Sequence, residues 1–143
     1  MKSAADAYEL LLAHGIKPSQ QRIALLEHLQ KYPVHPTVED LYSRLSPKMP
    51  TLSKTTVYNT LRLFVEKGVA RMLTIDEHSA CFDGDMRPHA HFFCKRCSRI
   101  FDMPLPADGG IDRYPAELEQ CNVEEVQLYY RGVCADCCSQ EAG

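Results

Sequence analysis

The sequence predicts an α+β fold in two parts, a helical N-terminal half closed by a β-hairpin and a strand-rich C-terminal half pinned by metal. Three observations carry this. Apolar residues recur at helical spacing through four segments up to Gly68, after which the pattern shortens to strand length. Two Cys-x-x-Cys pairs, Cys94/Cys97 and Cys134/Cys137, lie in the second half. Charge divides with them: residues 1–72 carry 10 Lys and Arg against 6 Asp and Glu, a net +4, while residues 73–143 carry 6 against 13, a net −7. A basic half joined to an acidic half suits one part facing phosphates and another with a separate task.

Along the first half, a helix is expected over residues 3–14, with Gly15 as a left-handed stop. A second begins near Ser19 and carries Ile23, Leu26 and Leu29 on one face. In the third, Thr37 is the expected N-cap, Glu39 and Asp40 fall in the first turn, and Val38, Leu41, Tyr42 and Leu45 share a face. Pro47 and Pro50 end it. The fourth starts at Ser53, turns Val57, Leu61, Phe64 and Val65 inward, and shows Thr55, Tyr58, Asn59 and Arg62 on the opposite side. Those outward groups suit phosphates and base edges, whereas a merely solvated face is more often rich in Glu and Lys. Residues 69–75 read as a strand, Asp76-Glu77-His78 as a turn, and residues 79–83 as the returning strand. Three helices followed by a hairpin is the order of a winged helix-turn-helix, with residues 53–67 as the reader of the major groove. The plainer alternative is a small helical bundle with an ordinary hairpin.

In the second half, the two Cys pairs stand 36 residues apart. Each lets two thiolates chelate one ion from a tight turn, and together they complete a closed S4 shell, which fits a structural zinc. A thioredoxin-type redox pair would need a βαβ setting at a helix start. Cys94 follows the strand-like His91-Phe92-Phe93 and Cys134 follows residues 126–130, also strand-like, and neither pair is expected to lead into a helix. Cys81 and Cys121 read as small core residues, and Cys138, beside a ligand, is ambiguous.

Harder donors cluster nearby. His89 and His91 sit at i and i+2, on one side of a strand, so both imidazoles can meet one ion. Asp83, Asp102 on the strand-like stretch 99–103, and His35 in the loop before the third helix are further donors whose spacing alone decides nothing. Such an N/O set suits Fe(II), Mn(II) or Zn(II). His14, His28 and His78 have no matching company and read as ordinary surface or hydrogen-bonded residues.

Taken in order, Pro18-Ser19-Gln20-Gln21-Arg22, His35-Pro36-Thr37, Thr56-Val57-Tyr58-Asn59-Thr60-Leu61-Arg62, Phe82-Asp83, His89-x-His91-x-x-Cys94-x-x-Cys97 and Gly132-Val133-Cys134-x-x-Cys137 resemble the ferric uptake regulator family. Within that family the chain is most similar to the peroxide-responsive repressors. The resemblance runs from Gly15 to Cys137. It implies a winged-helix DNA-binding domain over residues 1–83, a hinge at 84–88, and an α/β dimerisation and metal-sensing domain over residues 89–143. It implies a homodimer on double-stranded DNA, at an inverted-repeat operator, with Arg22 and Tyr58 near the DNA. It assigns structural Zn(II) to Cys94, Cys97, Cys134 and Cys137, and a regulatory Fe(II) or Mn(II) to His35, Asp83, His89, His91 and Asp102. Iron-sensing relatives tend to carry Glu at the positions of Asp83 and Asp102, and a further ligand beside the His pair. Here the flanking residues are Pro88 and Ala90, which cannot bind metal. By resemblance the oxidation-sensitive residues are then His35 or His89; the alternative is an iron- or zinc-responsive repressor without peroxide sensing.

No apolar run reaches the ~20 residues that cross a bilayer, and the first residues lack a signal-peptide layout, so a cytoplasmic location is expected. A hydrolase built on the His/Asp donors is the main rival from another class. Neither a glycine-rich phosphate loop nor a His-Glu-x-x-His pattern accompanies them, which argues against an enzyme. A zinc-stabilised interaction module without DNA is the third reading.

Overall fold

Helix boundaries in the first half are set by caps that the sequence places one residue ahead of each apolar stripe. The computed structural model describes residues 4–31, 35–107 and 114–142. α1 (Ala4–Ala13) ends at Gly15, whose φ of +72° is a conformation glycine adopts without cost. α2 (Gln20–Lys31) begins after Ser19, whose hydroxyl accepts from the Arg22 N–H at 3.2 Å. α3 (Val38–Leu45) opens with a full capping box, in which Thr37 and Asp40 each accept from the other's backbone N–H. α4 (Lys54–Glu66) is capped by Ser53 accepting from Thr56 N–H.

These helices meet around Leu11, Leu25, Leu26, Leu41, Val57, Leu61 and Phe64, all fully buried. Each such side chain contributes roughly 1.5–3 kcal/mol of burial. The winged hairpin follows: β1 (Arg71–Leu73) pairs antiparallel with β2 (Cys81–Asp83), Arg71 opposite Asp83. The first strand is shorter than the expected 69–75. Val69 and Ala70 donate back to the Phe64 carbonyl and finish the end of α4 instead of extending the ladder. The Phe82 N–H donates to the Pro36 carbonyl at 2.9 Å, tying β2 to the loop ahead of α3.

The chain divides between Met86 and Arg87 into two separately packed units. In the second, a three-stranded mixed sheet has β3 (Ala90–Cys94) at its centre, β4 (Ile100–Met103) antiparallel on one side and β5 (Tyr129–Gly132) parallel on the other. β5 leads into α5 (Ala135–Ala142), and a 3-10 turn covers Ala116–Leu118. Among the described residues no helix is long and apolar enough to cross a membrane.

Three expectations for this unit are corrected. Residues 126–130, read as strand, enter the sheet only at Tyr129. The register Phe92 to Tyr130 and Cys94 to Gly132 sets the second Cys pair beside the first, a closure that spacing alone does not encode. Cys134 does lead into a helix: the Cys138 N–H donates to the Cys134 carbonyl, and the first turn of α5 carries Cys137. Finally, Cys81 is buried as expected, but Cys121 is exposed beside the 3-10 turn and belongs to no core.

Gly84, immediately after β2, lies so close to α2 that an added Cβ would stand 3.1 Å from both the Leu29 Cβ and the Leu29 carbonyl oxygen. The neighbour includes backbone, which cannot swing away. Gly84→Ala is therefore expected to lower unfolding stability by about 1–3 kcal/mol in urea titration. An unchanged midpoint would show that this segment does not need its close approach to α2.

Candidate metal centres and nucleic-acid interface

The sulfur quartet is built by two different local structures. Cys94 ends β3 and Cys97 closes the turn that follows it; Cys134 follows β5, and Cys137 lies one helical turn later, at the i+3 spacing that puts both on one side. All four Sγ atoms lie within 4.8 Å of one another. Cys94 to Cys137 and Cys97 to Cys134 are each 3.8 Å. Four sulfurs placed tetrahedrally about zinc at ~2.3 Å would be about 3.8 Å apart, so the donor set fits that ion. This geometry replaces the redox-pair alternative, even though Cys134 precedes a helix, because four thiols converge where a redox site needs two.

Electrostatics at the quartet point the same way. Burial opposes ionisation of Cys94, but N–H groups of Cys97 and Cys134 donate to its sulfur and hold the thiol down at about 6. The Arg99 guanidinium, donating at 3.3 Å, lowers Cys97. Burial, then hydrogen bonds among the neighbouring sulfurs, pushes Cys137 up to about 12. The last proton thus stays until a cation takes its place. Arg99 also reaches Cys134 Sγ at 3.6 Å and Asp136 at 3.1 Å. It is the residue that sequence reading missed: nothing distinguishes it from Lys95 and Arg96 until the sheet folds.

A second donor group forms on the same sheet. His89 and His91 point to one side, their Nε2 atoms 3.0 Å apart and ring centroids 4.5 Å apart. Asp102, directly across from His91 in the β3–β4 ladder, brings Oδ1 to 3.4 Å from His91 Nε2 and 3.6 Å from His89 Nε2. Two donors on one ion at ~2.1 Å are separated by about 3.0–3.4 Å. His89 Nδ1 lies 2.6 Å from the Arg87 carbonyl, which can only accept, so Nδ1 carries the proton and Nε2 offers its lone pair. His91 is fully buried, while the Asp102 side chain is 46 % exposed.

The remaining two donors belong to the first unit and form a pair of their own. His35 Nε2 lies 3.6 Å from Asp83 Oδ2, and both side chains are buried. The other Asp83 oxygen accepts from the Asp85 N–H at 2.8 Å, which fixes the carboxylate. Among the other histidines, His14 contacts the Leu10 carbonyl and His28 lies 3.3 Å from Arg44. Burial first, then the Arg44 charge, lowers the His28 pKa. His78 sits in the hairpin turn with its N–H on Asp76.

On α4 the expected polarity holds: Val57, Leu61 and Phe64 are buried, whereas Thr55, Tyr58, Asn59 and Arg62 are exposed. Arg62 stacks over the Tyr58 ring at 5.8 Å, one helical turn away. A cleft of about 450 Å3 runs between the start of α2 and this helix, lined by Lys17, Ser19, Arg22, Thr56 and Asn59 among others. Arg22 donates to the Lys17 carbonyl at 2.7 Å, so one of its nitrogens is already engaged inside the unit.

Comparison with known proteins agrees with this arrangement. The family model of the ferric uptake regulator family matches residues 13–131. The peroxide operon regulator of Bacillus subtilis is 35 % identical over 136 residues, 95 % of this chain and 94 % of that protein. The peroxide-responsive repressor of Staphylococcus aureus is 34 % identical over 123 residues, 86 % of this chain and 83 % of that protein. The fold matches that of the Helicobacter pylori ferric uptake regulator with a TM-score of 0.74 at 17 % identity, covering 95 % of this chain and 94 % of the other.

Ser98 closes the first Cys turn at φ +61°, where a side chain is strained, and its N–H donates to the Cys94 carbonyl at 2.8 Å. Ser98→Gly should raise thermal stability by about 1 kcal/mol with zinc content unchanged. A loss of stability on this change would show that the hydroxyl, and not the backbone, matters there.

Proposed function

This chain belongs to the ferric uptake regulator family, and from that membership we propose that it is a metal-dependent transcriptional repressor which binds an inverted-repeat operator as a homodimer and senses peroxide. The observation that carries the reading is the segregation of donor chemistry: sulfur alone in one cluster, nitrogen and oxygen alone in the other. Four thiolates leave no open position, so Cys94, Cys97, Cys134 and Cys137 hold a permanent Zn(II) that completes the fold. His35, Asp83, His89, His91 and Asp102 hold an exchangeable Fe(II) or Mn(II). The peroxide reading is supported by the names of both curated relatives and by Asp, not Glu, at positions 83 and 102.

The residues act as follows. His35 and Asp83 come from the DNA-binding unit and the other three donors from the acidic unit, with residues 84–88 as the hinge. Coordination by all five would restrict that hinge. In a dimer, the resulting orientation sets the separation of the two α4 helices, which must match major grooves ~34 Å apart. Metal binding and operator binding are then coupled free energies. Lys17 and Arg22 face phosphates, while Thr55, Tyr58, Asn59 and Arg62 meet base edges and backbone. Fe(II) held there would supply redox chemistry toward hydrogen peroxide, and His35 or His89 would be the imidazole that takes up one oxygen atom, water being the other product. An oxidised imidazole is a poorer donor, and the conformer that fits the operator loses its advantage.

Three measurements test this. His35→Ala should keep the sulfur-bound zinc and lose the stimulation of operator binding by Mn(II); undiminished stimulation would remove His35 from the switch. After Fe(II) and hydrogen peroxide, mass spectrometry should place one added oxygen on the peptide of His35 or His89. An unmodified protein that still needs iron to repress would be an iron sensor instead. On the DNA side, Arg62→Ala should weaken operator binding by about 1–3 kcal/mol, read by a titration at fixed salt. Equal affinities would place the reading face elsewhere.

A further inference from the structure

Arg99 is not a ligand, yet its side chain reaches two of the four sulfurs. Its backbone carbonyl accepts from the Cys94 N–H at 3.0 Å, which fixes where the side chain starts. Its Nε donates to Cys97 Sγ at 3.3 Å and one terminal nitrogen reaches Cys134 Sγ at 3.6 Å. That same nitrogen lies 3.1 Å from the Asp136 carboxylate, and the guanidinium carbon sits 5.0 Å from the Phe101 ring centroid. A planar fork is thereby held from two sides over two sulfurs. Cys97 is the only exposed member of the quartet, so the fork lies where a reagent in solution would arrive.

We propose that Arg99 is a positioning residue of the sulfur centre, one that blunts the thiolates of exposed Cys97 and buried Cys134 and so guards the bound zinc against electrophilic release. This rests on the zinc reading given above. Coordinated thiolates are already ionised, so a neighbouring cation cannot raise their reactivity by creating more thiolate. What remains is its effect on intrinsic nucleophilicity, which falls as the sulfur lone pair is drawn toward hydrogen-bond donors and positive charge. Cys94 takes its donors from backbone N–H groups of Cys97 and Cys134, which no side-chain change removes. Loss of the guanidinium should therefore act on two sulfurs of the four.

Iodoacetamide is a suitable probe: the sulfur lone pair attacks carbon, the C–I bond breaks, iodide leaves, and the alkylated sulfur dissociates from zinc. Full-length protein is first shown to carry one zinc ion per chain, and zinc release is then followed with a colorimetric chelator. Arg99→Met is expected to speed release about three- to ten-fold, the size set by a nearby unit charge acting through partial sensitivity of nucleophilicity to basicity. Arg99→Lys, which keeps charge but not the fork, should fall between. Peptide mapping at early times should place the extra label on Cys97 and Cys134. Cys121 and Cys138, both exposed and outside the quartet, should label equally in every variant. Asp136→Asn, which loosens Arg99 without removing it, should give the same pattern more weakly, and covers the case in which Arg99→Met does not fold. Unchanged release from zinc-loaded Arg99→Met, or label spread evenly over all four thiols, would overturn the guard. A wild-type chain that carries no zinc would overturn the zinc reading itself, and the guard with it.

Discussion

Four thiols within 4.8 Å of one another cannot all ionise unless a cation sits among them, and the second unit is organised around that requirement. One buried cluster there consists of Cys94, Cys134 and Cys137, with Phe92, Phe101 and Val133 packed against it, and Ala90 and Phe93 are buried as well. A unit of this size has little apolar surface to bury, and a metal adds what burial does not supply. A structural zinc contributes on the order of 10 kcal/mol at neutral pH, which is comparable with the whole stability of an ordinary domain. The sulfur atoms therefore serve as core residues that only a metal can make compatible with each other. That is why β5 must run parallel to β3: the parallel register delivers the second Cys pair to the first.

The first unit solves the same problem by other means. Its cluster of fully buried leucines, valine and phenylalanine spans all four helices and needs no ion. What it owes to precision is concentrated at the end of β2. Phe82 is bonded to Pro36, Asp83 is clamped by the Asp85 N–H, and Gly84 slides past the Leu29 backbone. Three consecutive residues thus link α2, the loop carrying His35, and the chain's exit from the unit. A donor pair placed on such a rigid element does not have to be ordered when a ligand arrives, which favours tight binding.

Most of the helical half was legible because each helix carries its own stop and start signals: Gly15, Ser19, Thr37 and Ser53 all act where the sequence puts them. The quartet was legible for the same reason, since a Cys-x-x-Cys pair is a local instruction. What stayed hidden was non-local. The strand at Tyr129 and the helix after Cys134 depend on pairing with β3, some forty residues earlier in the chain, and their own residues have weak preferences. Cys121 was misjudged because a cysteine is usually buried, while its turn faces water. Asp102 could be placed only once its ladder partner was known to be His91. Arg99 had no signature at all, because its role comes from a sheet edge and a helix start meeting around it.

The two donor clusters differ in exposure as well as in element. In the sulfur centre three of four cysteines are buried and the fourth, exposed, accepts from the Arg99 guanidinium. In the N/O group, His91 is wholly buried but the Asp102 side chain is nearly half exposed. Hard, exchangeable donors on an open side suit a site that must follow conditions in solution; soft, closed donors suit one that must ignore them. Both sites use β3, with His91 three residues before Cys94 on the same strand. On the proposed function, the sulfur centre would hold still the strand on which the responsive site is mounted, and a sensor of small changes in metal occupancy requires that kind of fixed reference.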